Sequence, residues 1–122
     1  MRLLHSLYRI VSMQDNDLQD IANISLIQEN EIFKAHFPDM PILPGACLLQ
    51  ISQEFLENKL NQNVEITKFK NLKFLKTINP YEFSEITISF SYHKNEEHHI
   101  AHITFEKDEH LFCKLEYLFI TK

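Results

Sequence analysis

The 122-residue sequence contains a single glycine, Gly45, where average usage of about 7% would give roughly eight. A chain this poor in glycine builds its hairpin turns without it, so Gly45 is a first hint of a place where a missing side chain lets something approach the backbone. Relief of crowding against a neighbouring strand is an equal explanation at this level. Basic excess is missing too: 12 Lys and Arg stand against 17 Asp and Glu, which argues against nucleic acid as a partner. Long apolar runs are absent. Met1 to Ile10 is interrupted by Arg2, His5, Ser6 and Arg9 and resembles neither a signal peptide nor a spanning helix, so the chain is expected to be cytoplasmic with no membrane role. The two cysteines, Cys47 and Cys113, lie far apart in no metal-ligand or redox spacing, and their apolar neighbours favour two reduced, buried thiols, with one disulfide left open.

What is present is an ordinary globular balance, 44% hydrophobic and 24% charged, in a length that suits one domain over 1–122 with one core. Most of it alternates with the period of a half-buried strand. Ile86, Ile88, Phe90 and Tyr92 alternate with Thr87, Ser89 and Ser91. Beyond the polar turn Lys94 to Glu97, Ala101, Ile103 and Phe105 share one face of a second strand. After Asp108 and Glu109, a third strand puts Leu111, Cys113, Leu115, Tyr117 and Phe119 on one face, completing a meander. Upstream, Leu3 to Met13 and Leu18 to Ile27 flank Gln14-Asp15-Asn16-Asp17 as a first hairpin, and Val64 to Leu75 is a further strand closed by the Asn79-Pro80 turn.

Alternation fails from Pro44 to Leu60, where proline sits at a position that a first helical turn tolerates. A helix is predicted here. At roughly 100° per residue, Gln50, Glu54, Glu57, Asn58 and Asn61 fall on one side, with Leu48, Leu49, Ile51, Phe55, Leu56 and Leu60 over the rest. So broad an apolar surface needs a sheet curved around it.

Before the helix, His36-Phe37-Pro38-Asp39-Met40-Pro41-Ile42-Leu43-Pro44-Gly45 holds three prolines in seven residues and fixes a rigid approach for His36. The segment resembles the His-Phe-Pro, x-x-Pro, x-x-Pro-Gly signature of the bacterial 3-hydroxyacyl-acyl-carrier-protein dehydratases. The preceding hairpin, the following helix and the Lys73-Phe74 strand leading to Asn79-Pro80 come in the same order as in that family, so the likeness covers nearly the whole chain. It implies an α+β hot-dog fold, with one helix wrapped by a long antiparallel sheet and dimers that pair sheets edge to edge. It also implies active sites at the dimer interface, with substrate carried on the phosphopantetheine of an acyl carrier protein and no cofactor of the enzyme's own.

Dehydration of a 3-hydroxyacyl thioester needs a base for the proton beside the carbonyl, a site for the thioester oxygen, and an acid to release the hydroxyl as water. By resemblance His36 is the base, and an imidazole titrating near neutrality suits that role. The Gly45 N–H, at a helix start where unpaired donors and the dipole favour negative charge, would hold the oxygen. Pro44 shapes that turn, and Phe37 and Phe74 are expected near the acyl chain on family position alone. The acid is missing. Where the family has Glu or Asp on the helix, this chain has Gln50, whose amide can hydrogen-bond a hydroxyl but cannot protonate it. Glu54 lies one turn further on, either reaching the site directly or through water, or belonging to a polar stripe with Glu57 and Asn58 that faces solvent or a partner. The family's glycine before its histidine is Ala35 here.

Two other clusters stand out. His93, His98, His99 and His102 surround one hairpin, with His98 and His102 on one face, in a spacing that matches no closed zinc pattern, so a solvated hairpin is expected and no metal. Lys68, Lys70, Lys73 and Lys76 form a basic stretch that suits either docking of an acidic carrier protein or a lysine-protected strand edge. Three readings follow: a dehydratase-like enzyme of fatty-acid or polyene-type biosynthesis, forming a homodimer or a higher homo-oligomer; a non-catalytic subunit forming a heterodimer with an active homologue; and, least supported, an acyl thioesterase.

Overall fold

The alternation read from Ser84 onward becomes a meander of three long strands, β4 (Glu85–Asn95), β5 (His98–Lys107) and β6 (His110–Thr121), each antiparallel to the next. The structure is a computed structural model that describes residues 2–15, 19–35, 39, 41–95 and 98–122. The hairpin of β1 (Tyr8–Asp15) and β2 (Asp20–Leu26) joins β4 on one side, and β3 (Val64–Phe74) joins β6 on the other. The order is β1-β2-β4-β5-β6-β3, so β1 and β3 are the edges. Between β2 and β3 come a four-residue helix, α1 (Ile32–Ala35), and the long helix α2 (Gly45–Leu60). This is the expected α+β hot-dog architecture, one helix wrapped by an antiparallel sheet. No helix of the described residues is long and apolar enough to cross a membrane.

The helix buries Cys47, Leu48, Ile51, Phe55 and Leu56 against the inward residues of the sheet, among them Ile24, Ile86, Ile88, Phe90 and Ala101. Phe55 sits between Tyr8 and Phe90, with ring centroids 5.9 and 5.6 Å away. Ser52 and Tyr117 share a buried 2.8 Å hydrogen bond, so the polar atoms of the layer satisfy one another. At its far end the helix stops on Asn61, in the left-handed conformation that asparagine tolerates. Glu57 accepts the Val64 N–H at 2.9 Å and Gln53 donates to the Val64 carbonyl at 2.8 Å, which fixes where β3 departs.

The structure departs from the sequence expectation at several points. Pro44 caps the helix in an extended conformation (φ −64°, ψ 147°), so helical geometry begins one residue later than expected, at Gly45. The first strand begins at Tyr8, not Leu3, because Ser6 and Leu7 donate back to the Leu3 carbonyl and His5 turns to φ 74°. In β6 a register shift opposite Phe105 and Glu106 places both Phe112 and Cys113 inside, leaving Leu111 only half-buried. The short α1 was not foreseen. Of the turn expected at Gln14 to Asp17, Asn16 and Asp17 lie outside the described residues, as do Glu96 and Glu97 of the later turn.

Both cysteines are buried and unpaired. Burial pushes the Cys113 thiol up to about 12 and raises that of Cys47 as well. Since the thiolate is the reactive form, neither should be alkylated appreciably at pH 8 in the folded protein, and both should react once it is denatured. Mass spectrometry of iodoacetamide-treated samples checks this.

Candidate functional site

Among the described residues no side chain caps the start of α2, and the amides of Cys47 and Leu48 both donate to the Pro44 carbonyl, at 3.0 and 3.3 Å. The Gly45 amide precedes these bonds, among the first N–H groups that a helix cannot satisfy internally and at the positive end of its dipole. Beside it opens a cavity of about 350 Å³, walled by Leu43, Pro44, Gly45 and Leu48 on one side and by Phe74 and the chain to Ile78 on the other. A hydrogen bond of 2.8 Å from the Leu43 amide to the Ile78 carbonyl holds the two walls together.

A Cβ on Gly45 would lie 3.1 and 3.2 Å from two carbons of the Phe74 ring. The two explanations offered for the lone glycine therefore meet in one place: it makes room for a neighbouring strand, and the ring it admits lines the cavity. Phe74 is 49% exposed, so this wall is open on its outer side. Pro44, Gly45 and Phe74 are thus brought together. His36 and Phe37 lie outside the described residues.

Gln50 and Glu54 occupy the next two turns, and here the polar-stripe reading fails. Glu54 is only 2% exposed. Its Oε1 accepts from the Leu4 amide and the Tyr8 hydroxyl, both at 3.0 Å, and its Oε2 from the Leu3 amide at 2.7 Å and from Gln50 Nε2 at 3.0 Å. The reason is tertiary: the N-terminal segment folds over this side of the helix and brings its own donors. Burial, then the charge of Glu54 and the hydrogen bond to it, raise the Tyr8 phenol above its usual range, which keeps that hydroxyl a donor. With two donors on each oxygen, Glu54 is engaged by the chain itself. A carboxylate only accepts, so the Gln50 amide must turn its NH₂ toward it. Tyr8 and the Leu3 and Leu4 amides were not singled out in the sequence; the only local hint was the i, i+4 spacing of Gln50 and Glu54.

Of the four histidines, His93 and His102 stay together and the other two turn to different partners. His102 Nδ1 lies 3.0 Å from Glu116, and its ring stacks on His93 at 5.6 Å. His98 meets Thr67 at 3.4 Å, and His99 stacks on Phe119 at 5.0 Å. Among the described residues no group of three or more His, Cys, Asp or Glu is placed to hold a metal. Lys68, Lys70, Lys73 and Lys76 are all exposed, on β3 or just past it.

Many solved structures are similar in fold. The dehydratase heterocomplex ApeI:P from Xenorhabdus doucetiae aligns with a TM-score of 0.78 at 12% identity, over 91% of this chain and 96% of that one. A hypothetical thioesterase with coenzyme A from Streptococcus pneumoniae aligns with a TM-score of 0.67 at 13% identity, over 94% and 85%. No curated protein matches by sequence. The family model of the ApeI dehydratase matches residues 12–115, from the first strand into the last and across the whole of the cavity-bearing helix. The chain belongs to the ApeI-like dehydratase family.

Proposed function

We propose that the chain binds acyl thioesters at the start of α2 and takes part in dehydrating 3-hydroxyacyl groups carried on the pantetheine arm of an acyl carrier protein. The observation that carries this reading is the cavity of about 350 Å³ against Pro44, Gly45 and Phe74, mostly apolar, with Lys76 and Thr77 the polar side chains of its lining and the helix amide at its wall. The thioester oxygen accepts from the Gly45 N–H, which strengthens as negative charge develops on it. His36 removes the proton beside the carbonyl. The 3-hydroxyl then leaves as water only if a proton reaches it, and Gln50 has none to give.

His36→Ala is expected to lower turnover of a 3-hydroxyacyl thioester by on the order of 10²- to 10⁴-fold. The reading fails if the unsubstituted protein, alone and with a homologous subunit, neither turns over nor binds any 3-hydroxyacyl or enoyl thioester. Gly45→Ala separates site from scaffold. Alanine favours the helix by up to about 1 kcal/mol and the half-exposed Phe74 ring can swing aside, so the melting temperature should hardly change. Displacing that ring disturbs the cavity wall, and acyl-pantetheine affinity is expected to fall by at least about ten-fold, or 1.4 kcal/mol. Calorimetry on both proteins measures the two effects.

A second reading draws on the Gln50–Glu54 bond: the chain is a subunit that lends His36 or a wall of the acyl tunnel to an active homologue. The fold neighbour from Xenorhabdus doucetiae is itself a heterocomplex, which supports it. Co-expression with a homologous hot-dog protein, followed by sizing and assay, separates the two readings. Full activity of this chain by itself removes the second.

A further inference from the structure

We infer that the β3 edge rejects a second copy of this chain and accepts a hot-dog subunit whose own edge strand is acidic. The inference rests on the reading that a second hot-dog subunit completes the site, and it names the chemistry by which that subunit is chosen.

β3 is eleven residues long, pairs on one side with β6, and ends the sheet. Its outer side presents backbone donors and acceptors, in a row interrupted by irregularities between Ile66 and Lys68 and between Phe69 and Asn71. Phe69, Phe74 and Leu75 stand 51%, 49% and 56% exposed along it, a large apolar display for an edge. Its final residue, Phe74, and the chain that follows form the open wall of the Gly45 cavity. A strand added here would continue the sheet, cover the three side chains and close that wall.

Charge decides which strand that is. The chain carries a net charge of −5, yet Lys68, Lys70 and Lys73 crowd this edge, all exposed, while Lys76 just past it turns to His110 at 2.9 Å and to the Phe83 ring. The one acidic residue of β3, Glu65, is already paired with Lys122 at 2.9 Å. Antiparallel pairing of the strand with its own copy about a point between Lys70 and Asn71 sets each Lys68 opposite the other's Lys73. Like charges directly opposite destabilise a strand pair, and lysine on an edge is a known barrier to self-pairing. Acidic side chains at the facing positions reverse the sign of every one of these contacts, so the same residues that exclude a copy select a complementary partner.

The test needs no knowledge of the natural partner. A charge-reversed form carries Lys68→Glu, Lys70→Glu and Lys73→Glu, and a neutral form carries Gln at the same three exposed positions; circular dichroism verifies that each is folded. Size-exclusion chromatography with light scattering and native mass spectrometry then read assembly at low salt, without thioester, so that failure here is separate from failure of the catalytic reading. The unaltered protein and the charge-reversed form should each be monomeric alone and form a 1:1 dimer when mixed, with affinity at least about 100-fold above either self-association and falling as salt rises. The neutral form should self-associate more tightly than the unaltered protein. A stable low-salt dimer of the unaltered protein, no tighter in the neutral form, would overturn the inference. So would folded forms that stay monomeric on mixing, including the case in which the unaltered protein binds an acyl carrier protein instead.

Discussion

Glu54→Ala should lower the stability of the fold by on the order of 3 kcal/mol or more, an effect expected of a core residue and not of a helix-surface glutamate. The carboxylate accepts four hydrogen bonds, from two backbone amides, a phenol and a side-chain amide. Alanine leaves the Leu3 amide and the Tyr8 hydroxyl buried and unmatched, each costing roughly 1–3 kcal/mol unless water reaches it. Partial hydration keeps the total below the simple sum. For a domain of this size the melting temperature should drop by roughly 10 °C or more. Glu54→Gln keeps the shape but replaces one acceptor with a donor facing donors, so it should also destabilise, by less. Thermal melts of both variants check this; changes within about 0.5 kcal/mol would place Glu54 among ordinary surface residues.

Gln50→Glu should combine a gain in chemistry with a loss in stability. The new carboxyl would lie against Glu54, where the amide now stands 3.0 Å away. Two carboxylates so close cannot both ionise without a large penalty, and the pair retains a proton well above the usual carboxylate range. A proton held at neutral pH is what departure of the 3-hydroxyl requires. Turnover of a 3-hydroxyacyl thioester should rise by about 10²- to 10⁴-fold, the contribution of one general acid. The sign of the stability effect follows from the same pairing. A carboxyl whose folded value is raised above its unfolded value favours the fold at low pH, and that contribution is lost as pH rises through the raised value. The variant should therefore melt progressively lower than the unaltered protein from about pH 4 upward. An unchanged rate would mean either that the acid already comes from elsewhere or that position 50 does not face the reacting hydroxyl.

The strands were legible because their information is local. Ile86, Ile88 and Phe90, or Ala101, Ile103 and Phe105, alternate against the same helix, and each such run is buried as its period predicts. The helix was legible for the same reason, down to the turn on which it starts. Glu54 was not, because the donors that bury it lie about fifty residues away, on a segment whose leucines suit a strand as well as a turn. Leu3 to Leu7 was misjudged with it, the two errors being one contact seen from both ends. The histidines suggested a cluster because they are close in sequence. The sheet instead gives His102 to Glu116, His98 to Thr67 and His99 to Phe119, contacts set by register across strands. For the site, the glycine was visible as a compositional anomaly, but the ring that requires it belongs to Phe74 on another strand.

The scarcity of glycine also supplies the most direct test. Protein labelled with ¹⁵N only at glycine contains one labelled backbone amide, that of Gly45, and so gives a single amide signal. Titration with a non-hydrolysable acyl-pantetheine thioester analogue, of the protein alone and mixed with a homologous hot-dog subunit, should move that signal downfield in the proton dimension as the thioester oxygen accepts its hydrogen bond. A Gly45 signal that stays in place while saturable binding is recorded by calorimetry would contradict the assignment of this helix start as the thioester site.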